Sequence, residues 1–560
     1  MKKIIYFLLI LSITVMPFSC TLEEESLTEI SKENYVRNAA EAENILLGVY
    51  RGMIPDAMYA YHLSILFNIT TDIAQTEGST ANGFRVIPTN AFTTSQKEVQ
   101  DTWSALYKAI YNANNFMETL EAKVSDFPAG DKPLAKIYMA EARGLRGLFY
   151  FELVRRFGHI ALMKNTAMSQ QHPSTFVQAD PREVYEFIEA DLLFAAENLP
   201  YADEDRYRSN PSFRLSKGSA LGLLAKVYAT WAGHPVQDAS KWEQAAKTAG
   251  LLIESNRHGL LADYEQLWRN AGAGLWDWQE SLIEVSFYSP TTTGAAEDPC
   301  GRIGKWNGVS ADAIAGARGR NAGNVKVIHA FVLDWRNYTA DKRRDISIAN
   351  YQYVGNNQQL YVRTASSTPE QDVANDADET KSQKSKQNYT PAKWDTEKYV
   401  PASNELMSND KSNVNWYILR YSDVLLIYAE AVNEWKHGPT ADAYAAVNMV
   451  RRRGYGEPIS LTSAAADLPA GLSQADFRER VRKERAFELA FEGHRRLDLV
   501  RWGRYFDAIQ ETSRALSSWW EGGDAFNFPA RQYTTERHNL FPIPQHEMDI
   551  TNFTQNTGWY

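Results

Sequence analysis

Cysteine is nearly absent from this chain of 560 residues: only Cys20 and Cys300 occur. Two such distant cysteines build no disulfide framework and supply no paired-cysteine zinc site. The sequence also lacks a Gly-rich phosphate loop, an HExxH metal motif and a GxSxG nucleophile elbow. Lysine and arginine form no stripe, and the formal net charge of −10 argues against a nucleic-acid partner. A carboxylate pair for glycoside cleavage stays open, because two acids from distant segments leave no local motif.

Aromatic residues, by contrast, are plentiful, with 15 Trp, 29 Tyr and 24 Phe. The chain is long enough for two to four domains, or for one large domain carrying an insertion. Its start, MKKIIYFLLILSITVMPFSC, has a positive n-region at Lys2 and Lys3, an apolar core from Ile4 to Met16, and then Ser19-Cys20. That core is too short to span a bilayer comfortably and reads as an export signal over residues 1–19. Cys20 is the expected lipidated residue, although Pro17 and Phe18 depart from the usual aliphatic and small residues before it. Glu23, Glu24 and Glu25 follow in a tether over 20–32. With Cys20 lipidated, Cys300 is left alone in a Gly/Pro-rich loop, where a packed thiol is expected in preference to a reactive one.

Helical periodicity then dominates. Residues 33–53 predict a helix, as do the runs at 98–122, 134–158, 181–199, 215–233 and 239–255. Trp103 falls within the apolar stripe of its run and is assigned to packing. Pro181 suits a first helical turn. Alanine-rich helix pairs recur, with Tyr428, Ala429, Tyr444 and Ala445 in comparable places further on. Such pairs predict tetratricopeptide-like stacking.

The section from Trp416 to Phe506 carries the strongest pattern. YILRYSDVLLIYAEAVNEW predicts a helix capped by Ser422 or Asp423 and stopped at Gly438 and Pro439. A second runs from after Thr440 to Gly454. A third starts near Ser473 and continues without proline through Phe506. Its charges alternate with apolar residues, so helical spacing places Arg485 by Glu488, Glu492 by Arg496, and Asp498 by Arg495 and Arg501. Phe487 and Phe491 share another face, which implies a buried helix whose ions must be paired. Glu492 and His494 lack the spacing of a metal site.

RYSDVLLIYAEAVNE, AVNMVRRRG, RKERAFELAFEGHRRLDLVRWG, NLFPIPQHEM and the terminal NFTQNTGWY together resemble the C-terminal signature of the SusD/RagB family. The resemblance implies a mostly α fold of four tetratricopeptide-like helix pairs with a large irregular insertion holding short strands. It implies no enzyme and no cofactor. The implied role is a lipoprotein anchored on the outer membrane surface, which passes a captured glycan to a SusC-like TonB-dependent transporter. Binding of peptides or another non-glycan nutrient, or secreted glycoside hydrolysis, are the alternatives. The expected divisions are a helical scaffold over 33–269, a ligand-binding insertion over 270–415 and the rest of the scaffold over 416–560.

From about Asn270 to Asn415 helical periodicity fades and Gly, Asn, Thr, Tyr and Trp accumulate. LIEVSFY and IANYQYVGNNQQLYV suggest short strands. The stretch SSTPEQDVANDADETKSQKSKQN has few apolar residues, and Asp341 to Asp345 (DKRRD) suggests a structural Arg–carboxylate contact. Seven of the 15 tryptophans lie between Trp268 and Trp416. Flat sugar faces stack on exposed rings held by rigid loops, so Trp306, Trp276 and Tyr288 lead the ligand candidates. Trp278 follows, then Trp335 and Trp394. The loop over 77–95, with Asn82, Phe84 and Arg85, is a second candidate region, and in the family resembled the equivalent loop often faces ligand.

Overall fold

The computed structural model describes residues 36–78, 81–204, 213–293, 295, 298–312, 318–354, 358–361, 389–519 and 528–560. The signal, the tether, Cys20 and the polar stretch over 366–388 lie outside them.

Helices arise where the sequence supplies both an apolar face and an end signal. α1 (Ala39–Arg51) is capped by Asn38, whose side chain accepts from the Glu41 N–H. It starts later than the predicted helix because Asn38 takes extended backbone. α2 (Lys97–Lys123) and α3 (Lys132–Phe157) follow. α4 (Pro181–Asn198) has Asp180 as cap, Pro181 at its first position and Glu183 closing a capping box. α5 (Lys217–Trp231) and α6 (Lys241–Glu254) complete the first block, and α7 (Tyr264–Ala273) leads out of it.

Each helix packs on the next from α1 to α6. The contact faces carry small residues, among them Ala140, Ala142, Ala225, Ala229, Ala245 and Ala249, all buried. Small side chains let the axes approach, and each fully buried Leu or Val adds about 1.5–3 kcal/mol of apolar burial. The chain then leaves the stack. It returns as α9 (Tyr421–Trp435), which packs directly on α6 and on α10 (Ala441–Tyr455). Residues 255–420 are therefore a detour from a continuous helical stack. In α10 the contact falls on Ala443 and Ala446, whereas Ala445 is exposed.

The detour holds α8 (His329–Arg336) and short strands. Among the described residues they and one strand from before α2 form four antiparallel two-stranded sheets. β1 (Ala74–Thr76) pairs with β3 (Val325–Val327), and β2 (Ser281–Val285) with β8 (Trp416–Arg420). β4 (Ile348–Ala349) pairs with β7 (Thr390–Pro391), and β5 (Tyr351–Val354) with β6 (Gln358–Tyr361).

Two expectations for the C-terminal part need correction. The cap of α9 is Arg420, without a side-chain cap bond; Ser422 and Asp423 are already buried inside the helix. The predicted third helix is three: α11 (Gln474–Glu488), α12 (Arg495–Arg501) and α13 (Tyr505–Trp519). Phe491 at φ 64° and Gly493 at φ 78° take left-handed backbone, which no α-helix continues through. Phe491 is thus outside the helix that carries Phe487.

The break changes the ion pairing. Glu488 is buried among Arg343 (3.0 Å), Arg420 (3.0 Å) and Arg453 (2.6 Å). Glu492 meets Arg420 at 2.7 Å and Lys393 at 2.8 Å in place of Arg496. Arg496 instead donates to Asn90 Oδ1, the Tyr505 hydroxyl and the His538 carbonyl. Arg485 pairs with Asp423 and Asp498, and Asp498 also with Arg501 at 2.9 Å. Burial opposes the charge of Glu488, but the three guanidiniums outweigh it and hold the carboxyl well below its ordinary range. The lattice joins the stack to the detour, since Arg343 and Lys393 belong to the latter. Asp341 meets Arg343 at 2.7 Å with both buried, as the DKRRD run suggested.

Candidate ligand-binding site

The two candidate regions, distant in sequence, meet at one place. β1 pairs with β3, and just beyond it the Glu77 N–H donates to the Asn324 carbonyl at 2.8 Å. The Asn324 N–H in turn donates to the Trp306 carbonyl at 2.9 Å. Gly78, at φ 80°, turns the chain, and a Cβ there would lie 2.8 Å from Arg85 Nε. Arg85 donates to the Glu77 carbonyl at 2.7 Å and lies over the Phe84 ring at 4.5 Å. Phe84 then meets Trp306 edge to face, with centroids 5.2 Å apart.

Trp306 is half-buried and held on several sides. Its backbone N–H donates to the Arg302 carbonyl at 3.0 Å, while the Asn307 side chain caps the Gly304 N–H at 2.8 Å. The indole Nε1–H donates to Asp410 Oδ1 at 2.6 Å. Tyr61 packs against the ring with centroids 4.7 Å apart, and Arg302 stands 5.1 Å from Tyr61 and 5.5 Å from Trp306. Arg302 pairs with Asp56 at 2.9 Å and also with Asp410; Lys411 meets the other Asp56 oxygen at 2.6 Å. Burial works against the Arg302 charge, but Asp56 and Asp410 outweigh it and raise its pKa. Burial also pushes the Tyr61 phenol up, and among the described residues its buried hydroxyl has no hydrogen-bond partner.

The result is a half-open aromatic surface on a rigid ionic base. Arg85, Glu77 and Asp410 leave parts of their side chains in solvent around it. Rings of this kind stack on flat C–H faces, and neighbouring charged and amide groups can bond to hydroxyls. Asn82 is exposed on the same turn as Phe84.

The other candidates sit elsewhere. Trp276 is half-buried and lies 6.2 Å from Phe213. Trp278 is 36% exposed and meets His258 edge-on at 6.2 Å, at the start of β2. Tyr288 is 60% exposed beyond the other end of β2, with its N–H bonded to the Pro299 carbonyl at 2.8 Å. Trp335 and Trp394 are core residues: Trp335 stacks on Phe487 at 4.6 Å and Trp394 on Trp416 at 4.9 Å. Trp103 is buried, as its periodicity implied. Cys300 is buried, and burial raises its thiol pKa. Tyr61, Arg302, Asp56 and Asp410 escaped the sequence reading. Only Arg302, one helical turn before Trp306, carried a local signal.

Among the described residues no group of His, Cys, Asp and Glu could hold a metal ion, and no helix is long and apolar enough to cross a membrane.

Comparison with known proteins decides the family. Residues 332–559 match the model of the SusD family, and residues 22–229 match a SusD-like model described as starch-binding associating with outer membrane. A crystal structure of a SusD homolog from Bacteroides thetaiotaomicron is 60% identical, covering 96% of this chain and 100% of that one, with a TM-score of 0.92. The chain belongs to the SusD family. The SusD-like protein P25 of Formosa agariphila is 24% identical over 98% of this chain and 96% of its own. A laminarin-binding SusD-like protein shares the fold at 23% identity and a TM-score of 0.67, covering 93% of this chain and all of that one. In this SusD-family chain the match over 22–229 takes in α1 to α4 and most of α5, and the match over 332–559 takes in the later part of the detour together with α9 to α13.

Proposed function

We propose that this chain is a non-enzymatic glycan-capture protein. It is anchored by a lipid on Cys20 to the outer face of the outer membrane and hands its ligand to a SusC-type TonB-dependent transporter. The observation that carries the reading is the Trp306 ring, half-open, fixed by Asp410 and flanked by Phe84 and Tyr61. The family's outer-membrane and starch-binding description supports it, as does a relative that binds laminarin. Trp306 is the stacking platform. Phe84 and Arg85 extend it from the N-terminal loop, and Asn82 supplies an exposed amide. Trp276, Trp278 and Tyr288 flank β2 as outlying contacts for a longer chain.

Calorimetric titration of the protein with a panel of oligosaccharides and peptides tests this. One glycan class binds, and Trp306→Ala abolishes that binding while the melting temperature stays within a few degrees. A peptide that binds in place of every glycan overturns the ligand class. Release of a cleaved product during the titration overturns the non-enzymatic reading.

A further inference from the structure

A pocket of about 200 Å³ opens on a different face of α2. Thr102 turns toward the segment that carries Tyr61, donating to the Ala57 carbonyl at 2.9 Å. The next residue, Trp103, is rotated by about 100° around the helix. Trp103, Tyr107 and Tyr111 recur at steps of four and line one side of the pocket, with Phe176 and Phe553 closing it. The cage is built and rigid. Tyr107 donates its hydroxyl to the Ala161 carbonyl at 2.8 Å, and Trp103 packs 5.1 Å from Tyr107 and edge-on to Phe157 at 5.0 Å.

One acidic side chain, Glu547, also lines it. Its Oε1 accepts from Gln100 Nε2 at 3.1 Å, and among the described residues no cation pairs with it. Aromatic faces carry negative potential and attract cations. A carboxylate beside five rings adds to that potential and repels an anion. A purely apolar occupant would cover the carboxylate without compensating it. At ~30 Å³ per water the pocket holds about seven water volumes, which suits one charged head group or one sugar ring.

We propose that this pocket binds an organic ammonium group, with the rings stacking on its C–H surface and Glu547 neutralising its charge. The ligand is either an amine with N–H donors, such as an amino sugar, or a quaternary ammonium. This site is separate from Trp306 and does not depend on it.

The test uses the full-length protein carrying Trp306→Ala, so that binding at the platform is absent. Glucosamine, glucose and tetramethylammonium are titrated by ligand-observed NMR. At least one of the two cations binds more tightly than glucose. Glu547→Gln and Phe176→Ala each weaken that binding by about tenfold, with thermal melts confirming the fold of both. Which cation binds identifies the ligand as an N–H donor or a quaternary head. Equal binding of glucose and the cations, cation binding unchanged in both variants, or no cation binding at millimolar concentration each overturns the proposal.

Discussion

The indole of Trp306 is tied to Asp410 by a 2.6 Å hydrogen bond, and Asp410 also pairs with Arg302, the residue one turn before that ring. Asp410 thus fixes the side chain of the platform and Arg302 its backbone N–H, and these two partners are themselves paired. A ring held this way loses little freedom when a ligand arrives, which favours affinity.

Asp410 should therefore matter through the ring it positions. Asp410→Ala is expected to weaken glycan binding by roughly three- to tenfold, in line with the ~0.5–1.5 kcal/mol net worth of a typical hydrogen bond. Asp410→Asn keeps the Oδ1 acceptor and should stay close to the parent. Calorimetry on both variants measures the split; equal losses would show that charge, and not ring positioning, is what Asp410 supplies.

Glu488 is the centre of the buried lattice, and Glu488→Ala leaves Arg343, Arg420 and Arg453 short of a counter-charge. Loss of about 3–5 kcal/mol is expected, read by chemical denaturation. Acid should do the same gradually. The Asp498 carboxyl, desolvated but paired with Arg485 and Arg501, is held down to about 2, and Glu488 is lower still. Folded-state values below the unfolded ones stabilise above the ordinary carboxylate range, and that stability drains away as pH falls toward 2. A melting temperature flat from pH 5 to pH 2 would contradict this.

Glu284 behaves in the opposite sense. It is buried in β2 with neutral partners, the Ser281 hydroxyl at 2.6 Å and the Asn415 amide at 2.8 Å, and burial pushes its carboxyl up to about 7. The folded chain thus retains a proton that the unfolded chain has released. Stability is greatest below the unfolded value and falls, by up to about 3 kcal/mol, as pH rises to 7. Glu284→Gln is expected to flatten the pH 5–8 stability curve. Persistence of the same slope in the variant would assign it to another group.

Cys20→Ala should release the protein from the membrane fraction into the soluble one. The charged n-region, the short apolar core and the Ser19-Cys20 junction motivate this. Unchanged fractionation would remove the lipid anchor from the proposed function.

Much of the helical stack was legible because an apolar stripe and an end signal coincide, as at Asp180-Pro181 and Gly158. The break at Phe491 was not, because a left-handed phenylalanine has no local signature and is imposed by its surroundings. There the Trp394 indole donates to the Phe491 carbonyl at 3.1 Å, and Lys393 reaches the Glu488 carbonyl at 2.9 Å. At the site, composition singled out Trp306 and Phe84 separately. Their meeting depends on Glu77, Asn324 and β1–β3 pairing, none of which leaves a short-range pattern. Trp335 and Trp394 show the limit from the other side: loop-like neighbours in sequence, yet rings stacked in the core.

The direct packing of α6 on α9 closes residues 255–420 into a loop whose ends meet inside the scaffold. Closure entropy grows only with the logarithm of loop length, so doubling such a loop costs about 0.6 kcal/mol. The helical frame is therefore nearly indifferent to the size of what it carries, provided that partners such as Arg343 and Lys393 still reach Glu488 and Glu492. New recognition surfaces can be grafted there by lengthening or exchanging loops, and the frame need not be solved again for each ligand.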